Sequence, residues 1–365
     1  MGIISAIHNN ELWRFRKYRY YQAIITDYKK KCGLNPFQIA EIHRRGFTVN
    51  DWFVLRMTKD NYKKFLSTKD YFSIHPINGK YSEWIDDKLT LKYMLNGTVL
   101  SKIMPDYYYM IDDAGKVKAL MDCPEEKEHP SLEDIVALLE DKGTLALKME
   151  KGRLGVGFYK AEFKDGRYFL NKKAMNRAEL LQSMSALKEY IVQEFLFPHP
   201  FFADFCPGTA NTLRYVACRV DGRLQFFKSY ARFGTKTSGL VENFGRGGVL
   251  CYIDENGNFK NGYVRTGKNG YIVKDVTKHP DSGKELSGTI PHWDDIIDIV
   301  EKMGHLFPQL KYLGFDFVVT ADEKVKLLEI NSQTSLDTIE LDVPVFETKV
   351  GRAFFGELLK KTKNG

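Results

Sequence analysis

The chain has 365 residues, 43% hydrophobic and 28% charged, with a formal net charge of +7. This is the balance of a globular protein with enough sequence for one large domain or two to three smaller ones, and the positive excess favours anionic ligands. No run of about 18 apolar residues is present to cross a membrane, and the start MGIISAIHNNELWRF lacks the layout of a signal peptide. Five scattered cysteines with no CxxC pair argue for reduced thiols in the cytoplasm and against a zinc site.

In chain order, the first expected helix covers 11–31 and is rich in Arg, Lys and Tyr. Such a helix suits peripheral contact with an anionic membrane surface as well as an ordinary solvated basic face. No RNP, KH or zinc-finger signature accompanies it, so no nucleic acid is expected as a partner. A second helix starts at Asn35 with Pro36 in its first turn and Gly46 past its end, and a third is predicted over 50–67, capped by Asn50 or Asp51. From residue 86 onward, helices alternate with hairpins rather than with single parallel strands. A helix over 87–95 precedes a strand within 98–112. Ser131 caps a helix over 131–141, with Asp134 three residues on. Next come a strand, a glycine-rich loop, two further strands joined at Asp165-Gly166, and a helix over 178–189. Later hairpins turn at Asp221-Gly222 and Glu255-Asn256-Gly257, and helices over 292–304 and 346–361 come last.

Five segments carry chemistry. Lys148 ends a strand just before Gly152, Gly155 and Gly157, a turn whose bare amides can wrap phosphate oxygens while the lysine supplies charge. No helix follows these glycines, so the turn is neither a Walker nor a Rossmann loop. YIVQEFLF offers Gln193 and Glu194 in an apolar strand, with Phe195 and Leu196 available to pack an adenine. In NTLRYVAC, Arg214 shares a strand face with Thr212 and Val216, where a guanidinium calls for an anionic partner. The loop SYARFGTKTSGLVENFGRGG collects Arg232, Lys236, Asn243, Arg246, Gly247 and Gly248, an apparent anion cradle.

The fifth segment, GFDFVVTADEKVKLLEINSQTS, reads as two strands around a polar turn. A hairpin centred on Asp322-Glu323 sets Asp316 opposite Glu329 and puts Asn331 on the same face. That register also places Val318, Val325 and Leu327 on the carboxylate face and Phe315, Phe317, Leu328 and Ile330 on the other. Two opposed carboxylates on an apolar hairpin repel each other and resist burial, and a divalent cation such as Mg²⁺ removes both difficulties. No histidine sits beside a nucleophile, so His199, His292 and His305 are expected to pack or lie at the surface.

The order of these segments resembles the ATP-grasp family over residues 86–340. NTLRYVAC and NFGRGG are similar to stretches of its amino-acid-adding ligases, and GFDFVV with LLEINSQ to its metal-binding hairpin. HPINGKYSEWIDDKLTLKYML, with the aromatic-rich helical region before it, resembles the ATP-grasp proteins associated with sugar transfer and surface-polysaccharide clusters. The resemblance implies an α+β fold of two lobes, each of antiparallel sheet and helices, enclosing a nucleotide. Its parts would be a helical region 1–85, a lobe 86–190 with the glycine-rich loop, and a lobe 191–365 with hinge, arginine strand and metal hairpin. It also implies roles. Lys148, with Lys102 or Lys88, would contact ATP; Gly152, Gly155 and Gly157 would cover its outer phosphates; Gln193, Glu194, Phe195 and Leu196 would form the adenine hinge. Asp316, Glu329 and Asn331 would hold two Mg²⁺ ions. Arg214, Arg232 and Arg246, with Asn243, would face the transferred phosphoryl group and acceptor carboxylate, and Asp204 is one candidate for the ribose. The implied activity is ATP-dependent ligation of a small-molecule or glycan carboxylate to an amine. A phosphotransferase and a nucleotide-binding scaffold are the alternatives.

Overall fold

The computed structural model describes residues 17–28, 33–125, 127–150, 157–207, 209–239, 242–267 and 270–364. Two antiparallel sheets with flanking helices make the α+β architecture expected from the sequence. The first sheet contains β1 (Tyr107–Ile111), β2 (Val117–Ala119), β3 (Thr144–Met149), β4 (Tyr159–Lys164), β5 (Arg167–Leu170), β6 (Lys173–Met175) and β7 (Tyr190–Glu194), ordered β2-β1-β7-β3-β4-β5-β6. The second contains β8 (Leu213–Val220), β9 (Arg223–Phe233), β10 (Val249–Ile253), β11 (Asn258–Lys260), β12 (Gly262–Thr266), β13 (Ile272–Val276), β14 (Ser287–Thr289), β15 (Tyr312–Val319) and β16 (Val325–Asn331). Its main order is β13-β12-β10-β9-β8-β15-β16, with β11 pairing β10 and β14.

Local chemistry sets the helix ends. Ser131 and Asp134 form a reciprocal capping box on the helix Leu132–Lys142, and Gly143, at φ +73°, ends it. Asn35 and Gln38 do the same for Pro36–Arg44, and Asn176 and Glu179 for Arg177–Ser185. The third helix is shorter than its sequence pattern predicts, running only over Val49–Val54 with Thr48 as the cap. Asp51, one of the two residues expected to cap it, is instead buried inside the first turn, accepting from the hydroxyls of Thr48 at 2.8 Å and Thr68 at 2.6 Å. The helix ends where the chain turns into the left-handed region at Arg56, φ +52°. The expected helix over 11–31 is observed as Lys17–Asp27 with Tyr28 in a turn, residues 11–16 and 29–31 lying outside the described ones.

The core forms on both faces of the second sheet. Leu213, Tyr215, Phe315 and Phe317 pack against Trp293, Ile296, Val300 and Met303 of the helix Trp293–Leu306. Truncating a buried phenylalanine such as Phe315 or Phe317 would cost roughly 3–5 kcal/mol. On the opposite face, Val216, Cys218, Phe227 and Tyr312 meet Phe354 and Phe355 of the last helix, Lys349–Asn364, together with Leu66, Tyr71 and Ile74. Residues before 86 therefore share a core with the second sheet. On that same face Thr212, Arg214 and Asp316 are buried as well.

The hairpin β15–β16 contains one irregularity that the sequence register did not include. Asp316 does pair with Glu329, as predicted, but the turn is one residue tighter, so that Phe317 faces Leu327 and Val319 faces Val325. An extra residue at Leu328 restores the register. In consequence Leu327 and Val325 pack with Phe315, Phe317 and Ile330, not on the carboxylate face.

Candidate active site

Four neighbouring strands bring charged side chains to one end of the second sheet. Arg214 on β8 is the direct cross-strand partner of Asp316 on β15, and Arg232 stands next to the end of β9, its amide bonded to the Thr212 carbonyl at 2.8 Å. Arg214 Nε and Nη2 grip the Asp316 carboxylate as a fork, the Nη2–Oδ2 distance being 2.7 Å. Arg232 Nη2 reaches Asp316 Oδ1 at 2.9 Å. Gly314 makes room for this fork: a Cβ there would lie 3.3 Å from Arg214 Cδ and 2.5 Å from Thr334 Oγ1. Burial would raise the Asp316 carboxyl, but the two guanidiniums outweigh it and hold it down at about 2.

Glu329, opposite Asp316, pairs with Lys88 Nζ at 3.0 Å, and Asn331 Nδ2 donates to Glu329 Oε1 at 3.3 Å. Lys88 opens the helix Lys88–Leu95, whose approach is fixed by Asp86 accepting from the amide and hydroxyl of Ser332 at 2.8 and 2.6 Å. The first sheet contributes Lys148. Burial and the neighbouring Lys88 push its ammonium down to about 8, against the pull of Glu329, Glu242 and Asp316. Four cations thus meet three carboxylates. Arg232 Nε is buried with no hydrogen-bond partner, a donor aimed at an anion this cluster does not itself supply.

The first sheet ends at Glu194, and Phe195 and Leu196 lie past its last ladder pair, with Leu196 buried. Their backbone groups belong to neither ladder, as an adenine edge requires. Gln193 is buried between Tyr107 and Ala146. Glu194 turns its carboxylate to the Asp106 amide at 3.2 Å and to Lys326 at 3.7 Å. Lys160, which carried no sequence signal, lies 4.8 Å from the centre of the Phe195 ring.

The structure brings together Lys148, Arg214, Arg232, Asp316, Glu329 and Asn331. It does not bring Lys102 with them. That side chain is 80% exposed and its ammonium lies 3.6 Å from Asp122, so of the two lysines weighed from sequence it is Lys88 that enters the cluster. Arg246 is exposed, and Asn243 spends its side-chain oxygen on the Gly245 amide at 2.8 Å, shaping the turn before Gly247. Asp204 pairs with Lys284 at 2.6 Å. Gly152 and Gly155 lie outside the described residues; Gly157, at φ +74°, sits where a Cβ would be 2.6 Å from Met149 Sδ. Sequence reasoning missed Glu242 and Gly314. Both take their meaning from residues on or next to neighbouring strands, Glu242 from Thr212 and Arg232, Gly314 from Arg214.

The sequence model for sugar-transfer associated ATP-grasp proteins matches residues 70–346. The chain belongs to that family. No curated protein matches the chain. Among solved structures, it is similar to a D-alanyl-alanine synthetase A from Vibrio cholerae (13% identity, TM-score 0.43), the match covering 79% of this chain and 66% of that one. It is also similar to an L-amino acid ligase from Bacillus licheniformis (9%, 0.41, covering 76% and 48%). A third is an N5-carboxyaminoimidazole synthase from Aspergillus clavatus, in complex with ADP and an aminoimidazole ribonucleotide (10%, 0.38, covering 77% and 53%). The chain thus matches about half to two thirds of the length of these proteins, at likenesses too low to bear on what this ATP-grasp protein acts on.

The oxygen-only donors of Asp316, Glu329 and Asn331 suit a hard cation such as Mg²⁺, and the cationic surplus with the unpartnered Arg232 Nε suits a triphosphate. Among the described residues there is no group of three or more His, Cys, Asp and Glu placed to hold a metal. A metal here would therefore rest on two carboxylates and an amide, with the remaining positions open to phosphate oxygens.

Proposed function

We propose that this ATP-grasp protein is an ATP-dependent carboxylate–amine ligase that works through an acyl phosphate, acting on a sugar acid or a surface-polysaccharide precursor. The observation that carries the reading is the joining of Arg214 and Arg232 to the metal-type carboxylate Asp316, with Lys148 and Lys88 alongside. A carboxylate is a poor electrophile and is activated by taking the γ-phosphoryl group of ATP. That step crowds an acceptor carboxylate against a triphosphate, and preorganised guanidiniums and ammoniums offset the repulsion where it is greatest. Mg²⁺ on Asp316, Glu329 and Asn331, two ions in this reading, would neutralise the phosphates further. Lys148 and Lys88 bind the nucleotide, Phe195 and Leu196 present backbone to its base, and Arg232 lies nearest the acceptor. Membership of the sugar-transfer associated family supports a sugar or polysaccharide acceptor.

The helix Lys17–Asp27 extends the reading. It exposes Tyr21 and Ile25, with Tyr28 just beyond it, one helical turn or two apart, and Phe37 on the next helix, Pro36–Arg44, is 87% exposed. The sequence is basic through its start and on either side (Arg14 and Arg16 before, Lys17 and Arg19 within, Lys29, Lys30 and Lys31 after). We assign this face to peripheral contact with an anionic membrane, the complement of its charge. No helix among the described residues is long and apolar enough to cross one. Free cysteines at 123, 206, 218 and 251 and a requirement for ATP support a cytoplasmic setting.

The test is trapping. With ATP, Mg²⁺ and an accepted carboxylic acid, hydroxylamine should yield a hydroxamate, and ¹⁸O from the carboxylate should appear in inorganic phosphate. A stable phosphorylated sugar with neither signature would make the protein a phosphotransferase. Tight ATP binding without turnover would make it a scaffold.

A further inference from the structure

Glu242 is the one carboxylate of the cluster that lies off the metal hairpin. Its Oε1 accepts the Thr212 hydroxyl at 2.7 Å and stands 4.0 Å from Arg232 Nη2. Arg232 already has a closer counter-charge in Asp316, at 2.9 Å. The Glu242 side chain is only 17% exposed, and it bears on Lys148. Its backbone passes close to Gly248, where a Cβ would come within 2.5 Å of the Glu242 carbonyl oxygen. A largely buried carboxylate beside an anion-binding cluster repels the phosphates that cluster gathers. Its placement has a physical reason if a cation is to arrive on that side.

We propose that Glu242, oriented by Thr212, forms the subsite for the amine substrate, a primary ammonium, and takes its proton. The inference rests on the ligase reading. The ammonium enters paired with Glu242 and gives one proton to the carboxylate. The freed nitrogen lone pair forms the C–N bond at the acyl carbon, the C–O bond to phosphate breaks with its electron pair, and the second nitrogen proton leaves with the departing phosphate. Arg232, between Glu242 and Asp316, places the acyl phosphate within reach of that nitrogen.

Two nucleophiles separate this role from a structural one. Hydroxylamine is largely uncharged near neutral pH and attacks without prior loss of a proton, whereas an alkylamine must be deprotonated. Wild-type protein would first be given ATP, Mg²⁺ and a panel of uronic and amino acids with hydroxylamine; the acid that yields hydroxamate then serves as the acceptor probe, with methylamine and ammonia as amines. For Glu242→Gln, the ratio of amide to hydroxamate formation at pH 7.5 should fall about 10²-fold, the usual scale for a lost general base, and should recover as pH rises toward the amine's own pKa. Thr212→Val, which keeps the carboxylate but frees its orientation, should raise KM for the amine more than for hydroxylamine. Equal losses with both nucleophiles would make Glu242 a support for Arg232 and overturn the proposal while leaving the ligase reading intact. Absence of any hydroxamate from wild-type protein would overturn the ligase reading itself, and the subsite with it.

Discussion

Asp316→Asn and Glu329→Gln remove equivalent charges from facing positions, yet their effects on stability should diverge while their effects on turnover agree. Asp316 is 3% exposed, and its carboxyl is held at about 2 rather than 3.8; a shift of that size corresponds to roughly 2–3 kcal/mol. Its loss also leaves the Arg214 guanidinium buried without its fork, a change that costs on the order of 3–5 kcal/mol in buried pairs, moderated here by Glu242 beside Arg232. We expect Asp316→Asn to destabilise the protein by about 2–4 kcal/mol, read by urea unfolding. Because the folded-state pKa is depressed, this contribution is full above the ordinary carboxyl range and is lost as pH falls from about 4 to about 2, so the gap between wild type and variant should close there. Glu329 has a side chain 31% exposed and paired with the Lys88 ammonium, so Glu329→Gln should cost no more than about 1 kcal/mol. Turnover should fall roughly 10²-fold or more in both, the scale of a lost electrostatic contribution to the transition state. Pyrophosphate without metal should raise the melting temperature of Asp316→Asn more than that of wild type, since it finds two guanidiniums released. Equal destabilisation by the two substitutions, or turnover retained in either, would refute the reasoning.

Four other outcomes follow from the same geometry. Lys148→Met should weaken ATP binding about tenfold in calorimetry, the loss of one charge-assisted contact. In wild type the affinity should weaken as pH rises through about 8, where the Lys148 ammonium discharges, and the variant should lack that dependence. Lys88→Met should lower ATP affinity more than Lys102→Met does, because only Lys88 touches a site carboxylate. Gly314→Ala should lower turnover with the overall structure kept, since the added methyl crowds Arg214 Cδ and Thr334 Oγ1; full activity would show that the fork tolerates displacement. Replacing Tyr21, Ile25, Tyr28 and Phe37 by Ser should abolish sedimentation with vesicles containing phosphatidylglycerol, and unchanged sedimentation or a concentration-dependent dimer lost in the variant would assign that face elsewhere.

What the sequence alone determined here is what short-range periodicity controls. Strand alternation and a polar turn were enough to set Asp316 against Glu329 and Asn331 beside it, because a hairpin's partners lie within a few residues of its turn. Capping pairs such as Ser131 with Asp134 were legible for the same reason. The bulge at Leu328 was not, since a tighter turn and an inserted residue cancel at the carboxylates and show only in where Leu327 and Val325 point. Tertiary structure decided the rest. Arg214 meets Asp316 across 102 residues of chain, and which lysine reaches Glu329 depends on the anchoring of the helix Lys88–Leu95 by Asp86 and Ser332. Thr48 caps the third helix in place of the expected residue, and Asp51 accepts from Thr68, 17 residues on. Glu242 had no signal of its own, for a lone glutamate in a glycine-rich loop acquires meaning only when folding sets Thr212 and Arg232 beside it. Charge pairing over such distances is decided by which strands become neighbours, and that choice is made by the core on the other face of the sheet, where Phe315 and Phe317 settle against Trp293 and Met303.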